Sequence, residues 1–227
     1  MNMNKKPYII CHMVQSIDGR IDCHMVDHIC GDEYDEIRES YKAPSFVNGR
    51  VTMEKYWAEK KRFASKTVTK IKNPVAFCAV SATGYAVCVD TNGVLRYKSN
   101  LVEDRPLVVV TSEKASKEYL DYLKSKMIGY IAVGRKEVDL AKVLEILYSE
   151  FGVKRLMLLG GGIINGAFLK SGLIDEFSII IGNGIDGRSG FVGSFDGLEA
   201  KMKAPFKAKL LNVKSYKNGS VWLRYKI

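Results

Sequence analysis

A chain of 227 residues with 47% hydrophobic and 26% charged residues has ordinary globular composition and the length to bury a full core, which excludes disorder and collagen-like structure. Its apolar runs, such as Phe177 to Ile181 and Leu107 to Val110, fall short of the roughly 20 residues that cross a bilayer. The polar start Met1 to Pro7 and five cysteines without framework spacing point to a cytosolic protein with reduced thiols.

The formal charge of +10 favours encounter with anions, phosphorylated small molecules included. Lysines at Lys60, Lys61, Lys66, Lys70 and Lys72 and from Lys201 to Lys217 show neither interleaved aromatics nor a recognition helix. A nucleic-acid or membrane partner is therefore not expected.

In chain order, an apolar strand at Tyr8 to Val14 runs into the turn Gln15-Ser16-Ile17-Asp18-Gly19-Arg20-Ile21. Ser16, Asp18 and Arg20 are placed to face a ligand, although Asp-Gly is also good turn chemistry. Cys23, His24, His28 and Cys30 crowd into eight positions, and thiolates and imidazoles at such range can bind zinc. Their spacings, Cys-x6-Cys and His-x3-His, match no standard site, so loop residues are the other reading and no metal is expected.

A helix predicted over Asp32 to Lys42 opens with acids that suit its positive end. Strand Ser45 to Asn48 then leads into Gly49-Arg50-Val51-Thr52-Met53-Glu54, a second turn into a helix. Arg50 offers a planar donor fork for phosphate, and Thr52 offers a cap or a hydroxyl to the same anion. After a polar insertion near Ala58 to Asn73 come strands at Val75 to Ala79, Ala86 to Asp90 and Pro106 to Thr111. Helices at Lys114 to Lys126 and Leu140 to Phe151 show apolar spacings of three and four, with a strand at Ile128 to Ala132 between them.

The strongest local signal is the strand Arg155 to Leu159 followed by Gly160-Gly161-Gly162-Ile163-Ile164-Asn165 and a short helix. Without Cβ atoms the backbone can approach a diphosphate, and the first amides of the helix supply donors. Tight packing of strand on helix is the competing explanation. The run is neither Gly-x-Gly-x-x-Gly nor a Walker loop. Strand Glu176 to Ile181 and a C-terminal pair at Phe206 to Tyr216 and Ser220 to Tyr225 complete the chain. Lys217-Asn218-Gly219 joins that pair by a tight turn. The alternation predicts a single α/β domain over residues 1–227, with a mostly parallel sheet flanked by helices and a C-terminal antiparallel hairpin.

Taken together, Ser16-Ile17-Asp18-Gly19-Arg20, Gly49-Arg50-x-Thr52, Val89-Asp90-Thr91-Asn92-Gly93, Leu107 to Glu113, Val138-Asp139-Leu140, the triple glycine with Asn165, and Gly172-Leu173-Ile174-Asp175-Glu176 are similar in order and spacing to a known family. They resemble the C-terminal reductase domain of the bacterial riboflavin deaminase-reductase, which has the three-layer dihydrofolate reductase-like fold. The resemblance implies an NADPH-dependent reductase similar to 5-amino-6-(5-phosphoribosylamino)uracil reductase, passing hydride to the ribose C1′ of a ribosylaminopyrimidine phosphate. It implies that Val14, Gly49, Arg50, Thr52, Asp90, Thr91, Val138, Gly160, Gly161, Gly162, Ile163 and Ile164 line the cofactor. It also implies that Ser16 and Arg38 approach the substrate, and that the chain is a homodimer. Asp18 is the candidate proton donor, with water as the alternative.

Where the family usually carries a glutamate before the glycines this chain has Leu159, and Tyr56-Trp57 replaces an Asp-Pro. The deaminase signature, His-x-Glu with Pro-Cys-x-x-Cys, is absent. Dihydrofolate reduction is the rival chemistry. It requires a buried carboxylate on the first helix, for which Asp32, Glu33, Asp35 and Glu36 are the candidates. A metal-binding module and a cofactor-binding protein without catalysis are the alternatives of another class.

Overall fold

The computed structural model describes residues 5–66, 71, 73–198 and 204–227, without the side chain of Cys23. Part of the predicted polar insertion, with Lys70 and Lys72, lies outside the described residues, as does Lys201.

In chain order the elements are β1 (Tyr8–Gln15), α1 (Cys23–Val26), α2 (Glu33–Ser40), β2 (Ser45–Gly49), α3 (Arg50–Tyr56), β3 (Val75–Phe77), β4 (Ala86–Val89), β5 (Leu101–Val102), β6 (Arg105–Thr111), α4 (Lys117–Ser125) and β7 (Gly129–Ala132). They continue with α5 (Leu140–Ser149), β8 (Arg155–Leu158), α6 (Gly162–Lys170), β9 (Glu176–Ile181), β10 (Lys209–Ser215) and β11 (Val221–Lys226). None of the helices among the described residues is long and apolar enough to cross a membrane. The chain divides into two compact units, one built chiefly from Pro44–Leu156 and the other from Tyr8–Ala43 with Met157–Ile227.

In the first unit β2, β4, β6 and β7 lie side by side and parallel. Both faces of such strands are covered, and their sequences are accordingly continuous apolar runs: Val87 and Cys88 of β4 and Val109 and Val110 of β6 are fully buried. β3 adds antiparallel to β7 and β5 antiparallel to β6. Tyr119, Leu120 and Leu123 of α4 and Leu140, Val143, Leu144, Ile146 and Leu147 of α5 are buried, as the predicted spacing requires. Two helix starts carry side-chain caps, Ser116 accepting from Tyr119 N at 3.1 Å and Asp139 from Lys142 N at 3.0 Å. Helix α4 starts later than Lys114 because Ser112 to Ala115 form a turn first, closed by Ala115 N to Ser112 O.

In the second unit the order is β10, β11, β9, β1. β1 and β9 are parallel, while β11 runs antiparallel to β9 and β10 antiparallel to β11. The predicted hairpin turn is present: Gly219 takes φ +88°, and Tyr216 N donates to Ser220 O at 2.9 Å.

Candidate cofactor and substrate site

The parallel register of the first unit gathers chemistry at one edge. Gly49 is opposite Val89, Val89 opposite Val110, and Val110 opposite Ile131. The residues that follow those strands, Arg50, Asp90 with Thr91, Ser112, and the 133–139 loop holding Val138, therefore leave the sheet along its carboxyl edge. Open α/β sheets bind ligands at such edges.

Several of these groups also hold the edge together. Asp90 is fully buried, and its Oδ2 accepts from Val94 N at 2.7 Å and Leu95 N at 2.8 Å. Burial raises its pKa, and the positive charge of Arg50 opposes that rise. Thr91 O accepts from both Ser112 N at 3.0 Å and Ser112 Oγ at 2.8 Å. Gly49 is in extended conformation as the N-cap of α3, which has no side-chain cap, and Thr52 lies within the helix. Capping is therefore not the role of Thr52. Arg50 pairs with Glu54 at 2.8 Å. Val138 is half-buried between Gly134 and the cap Asp139.

Asn48 Oδ1 and Thr111 Oγ1 are buried without a hydrogen-bond partner among the described residues. The register puts them on the same face, because Asn48 is opposite Cys88 and Cys88 opposite Val109, two residues before Thr111. Buried polar atoms are normally paired, so these two fit completion by ligand or water.

In the second unit β8 leads through Gly160, at φ +90°, into α6. The neighbours of the glycines explain two of them without any ligand. A Cβ on Gly162 would be 2.3 Å from Gly193 O, and one on Gly166 would be 1.9 Å from Asp196 O. The segment Gly193 to Asp196 thus crosses directly over α6, anchored by Asp196 N to Gly162 O at 3.0 Å and Asn165 Nδ2 to Ser194 O at 2.8 Å. Asn165 Oδ1 remains buried without a partner among the described residues. The N-cap Gly161 offers no side chain to the first amides of α6, and helix starts without a side-chain cap are suited to anions. Ile163 is exposed, whereas Ile164 is packed in the core.

Beyond β1, where Val14 is half-buried, the Ser16 to Arg20 turn is closed from within. Ser16 Oγ donates to Asp18 Oδ1 at 2.6 Å and accepts from Arg20 N at 3.0 Å. Asp18 also accepts from the amides of Asp186 and Gly187, both at 2.9 Å. The Ser16 hydroxyl and these amides hold its carboxyl well below the usual carboxylate range. Asp18 thereby clasps its own turn to the loop that carries Asp186 and Gly187. Arg188 reinforces the clasp, pairing with Asp22 at 2.8 Å and with Asp186 at 2.5 Å.

Arg38 is half-buried on α2, near enough to the buried His12 for its charge to act on that ring. Asp32, Asp35 and Glu36 are exposed, and Glu33 takes Gly31 N at 2.7 Å and Asn218 Nδ2 at 2.6 Å. None of the four is the buried carboxylate that dihydrofolate chemistry requires. Leu159 is half-buried and Tyr56 exposed. His24 and His28 meet edge to face at 5.4 Å, but among the described residues no three His, Cys, Asp or Glu side chains come together to hold a metal.

Sequence reading missed a buried polar network in this unit. Glu176 is 3% exposed and accepts from Tyr41 Oη at 2.6 Å, Arg224 Nε at 2.7 Å and Tyr8 Oη at 3.2 Å. Beside it, Trp222 Nε1 donates to Ser178 Oγ at 2.8 Å, Ser178 Oγ lies 2.9 Å from His12 Nδ1, and His12 Nε2 lies 2.9 Å from Tyr34 O. A carbonyl only accepts, so the His12 proton sits on Nε2 and Nδ1 accepts from Ser178.

A sequence pattern for the RibD C-terminal domain matches residues 7–222. A 2,5-diamino-6-ribosylamino-4(3H)-pyrimidinone 5′-phosphate reductase from Aquifex aeolicus is 30% identical over 185 residues, 78% of this chain and 76% of that protein. A pyrimidine reductase-like protein of Corynebacterium diphtheriae shares the fold at a TM-score of 0.71 and 15% identity, covering 98% of this chain and 92% of its own. Acinetobacter baumannii RibD shares it at 0.71 and 19% identity, covering 100% of this chain and 59% of its own. The matched span runs from the residue before β1 into β11 and takes in both glycine junctions, and the chain belongs to the RibD C-terminal domain family.

Proposed function

We propose that residues 1–227 form one NADPH-dependent reductase domain acting on a ribosylaminopyrimidine 5′-phosphate, the substrate class named for the Aquifex aeolicus relative. The observation that carries this reading is the match over residues 7–222 to a family whose curated relatives are named as such reductases. When bound, the nicotinamide supplies the hydride, which passes to the ribose C1′ of the substrate, and the protein positions the partners and matches their charge.

Gly49, Arg50, Thr52, Asp90, Thr91, Val138, Val14 and Gly160 to Ile164 are the cofactor residues, and Ser16 and Arg38 serve the substrate. Asn48 Oδ1 and Thr111 Oγ1, unpartnered among the described residues, support a polar ligand at the strand ends, and Asn165 Oδ1, likewise unpartnered among them, supports one at the helix start. For the proton the candidates are Asp18 and a water. The free thiols of Cys11, Cys30, Cys78 and Cys88 support a cytoplasmic setting. The exposed Leu210, Leu211 and Val213 of β10 are an apolar patch for a second copy in a homodimer. The substrate is a small molecule, with neither nucleic acid nor membrane as partner.

Fluorescence titration with NADPH tests the reading. The parent protein is expected to bind, and Gly161→Asp to abolish binding by setting a carboxylate against the diphosphate. A variant that binds NADPH as well as the parent would remove the loop from the site.

A further inference from the structure

One charged group at the carboxyl edge of the first unit is not accounted for by the motifs. Glu54 receives Arg62 in a two-pronged contact, Nε to Oε1 at 2.7 Å and Nη2 to Oε2 at 3.1 Å. The same Oε2 receives Arg50 Nη1 at 2.8 Å. Two guanidiniums thus share one carboxylate, and the trio keeps a net positive charge.

The setting makes stability a poor explanation. Arg62 is 57% exposed and Glu54 29%, and exposed ion pairs contribute about 0–1 kcal/mol. Arg62 is nevertheless held in place. The next residue, Phe63, donates its N–H to Val94 O at 2.7 Å, and its ring meets those of Tyr119 and Tyr122 at 5.1 and 5.2 Å. Glu59 N donates to Arg96 O at 2.8 Å. The chain leaving α3 is therefore laid along the 94–96 segment that follows Asp90, at the edge to which the register also brings Arg50.

We propose that Arg62, braced by Glu54 beside Arg50, grips a phosphomonoester, the 2′-phosphate of NADPH, and makes the protein prefer NADPH to NADH. This rests on the reading that the chain binds a reduced nicotinamide dinucleotide. A phosphomonoester near neutral pH carries up to two negative charges and three acceptor oxygens, which a pair of planar forks matches better than a single lysine does. Each guanidinium has five N–H donors, and the bonds to Glu54 engage two of Arg62 and one of Arg50. Glu54 is a positioning residue, fixing the fork of Arg62 before the ligand arrives.

The test measures dissociation constants of the parent, Arg62→Ala and Arg62→Lys for NADPH, NADH, 2′,5′-ADP, 5′-AMP and ribose 5-phosphate, with melting temperatures alongside. Arg62→Ala is expected to weaken NADPH and 2′,5′-ADP roughly tenfold, the scale of one charge-assisted hydrogen bond, while NADH and 5′-AMP change less than about twofold. Arg62→Lys recovers part of the loss, and both variants melt close to the parent. Equal changes for the phosphorylated and unphosphorylated members of each pair would overturn the proposal. A loss confined to ribose 5-phosphate would also overturn it, by moving the grip to the substrate. A parent that binds neither dinucleotide removes the functional reading and the clamp together. A parent that binds both, with Arg62→Ala unchanged, removes the clamp alone.

Discussion

The carboxyl edge of the first unit and the β8–α6 junction of the second are both marked by glycine, yet glycine means different things in the two. At the first, Gly49 has extended backbone angles that any residue adopts, φ −75° and ψ 163°. The chemistry there belongs to side chains, which parallel register brings to one edge from stretches far apart in sequence. At the second, Gly162 and Gly166 are bare because the chain passes over them at distances that leave no room for a Cβ. A glycine run after a strand is therefore ambiguous by itself. Here it records the close crossing of Gly193 to Asp196 as well as an uncapped helix start, and the two demands can be separated by substitution.

The largest effect on stability is expected where the crossing is tightest. Gly166→Ala sets a methyl 1.9 Å from Asp196 O, which requires the crossing segment to shift. A loss of about 3 kcal/mol is expected in urea unfolding, at the upper end of ordinary overpacking. A variant as stable as the parent would show that the crossing is loose and return the glycines to the ligand alone.

A second expectation concerns the interior of the same unit. Burial lowers the His12 pKa from 6.5 to about 4, with Arg38 adding to the effect. The unfolded chain thus takes up a proton at a pH where the folded one does not. The stability that neutral His12 contributes is complete above about pH 6.5 and is lost as pH falls towards about 4. Melting temperatures across that window should fall for the parent and fall less for His12→Asn. Parallel curves would mean that His12 does not titrate as its burial requires.

The smallest effect on stability belongs to the carboxyl edge. Arg50→Ala removes a pair whose members are 36% and 29% exposed, and less than about 1 kcal/mol should be lost. NADPH should nevertheless bind more weakly by roughly tenfold, and NADH by less, on the scale of a charged hydrogen bond. Stability and binding would then separate at Arg50 and not at Gly166. Equal losses for both cofactors would count against a phosphate contact.

Much of the fold is legible in local pattern, because buried parallel strands such as β4 and β6 are unbroken apolar runs and the helices show spacings of three and four. Strand β5 is not. Its turn uses Glu103 and Asp104 at φ +47° and +59°, where Asn-Gly would have signalled a hairpin. Helix α1 is a single turn of four residues, too short to establish a period. At the site, the polar residues after β2 and β4 are legible from their position at strand ends, whereas the task of Asp18 is not. Its amide donors come from a loop 168 and 169 residues downstream. Glu176 escapes for the same reason: an acid at a strand start reads as solvated, and its partners Tyr8, Tyr41 and Arg224 are 168, 135 and 48 residues away. Local pattern describes the neighbours along a chain, and burial of a charge is decided by the neighbours across it.

The most direct measurement of the central claim follows the hydride itself. The purified chain is mixed with a ribosylaminopyrimidine 5′-phosphate and NADPH deuterated in turn at each face of nicotinamide C4, and the product is examined by mass spectrometry and NMR. One of the two labels should appear at C1′ of the ribityl chain, with NADPH consumed in step with product. Consumption without label at C1′, or no product at all from a protein that binds NADPH, would contradict it.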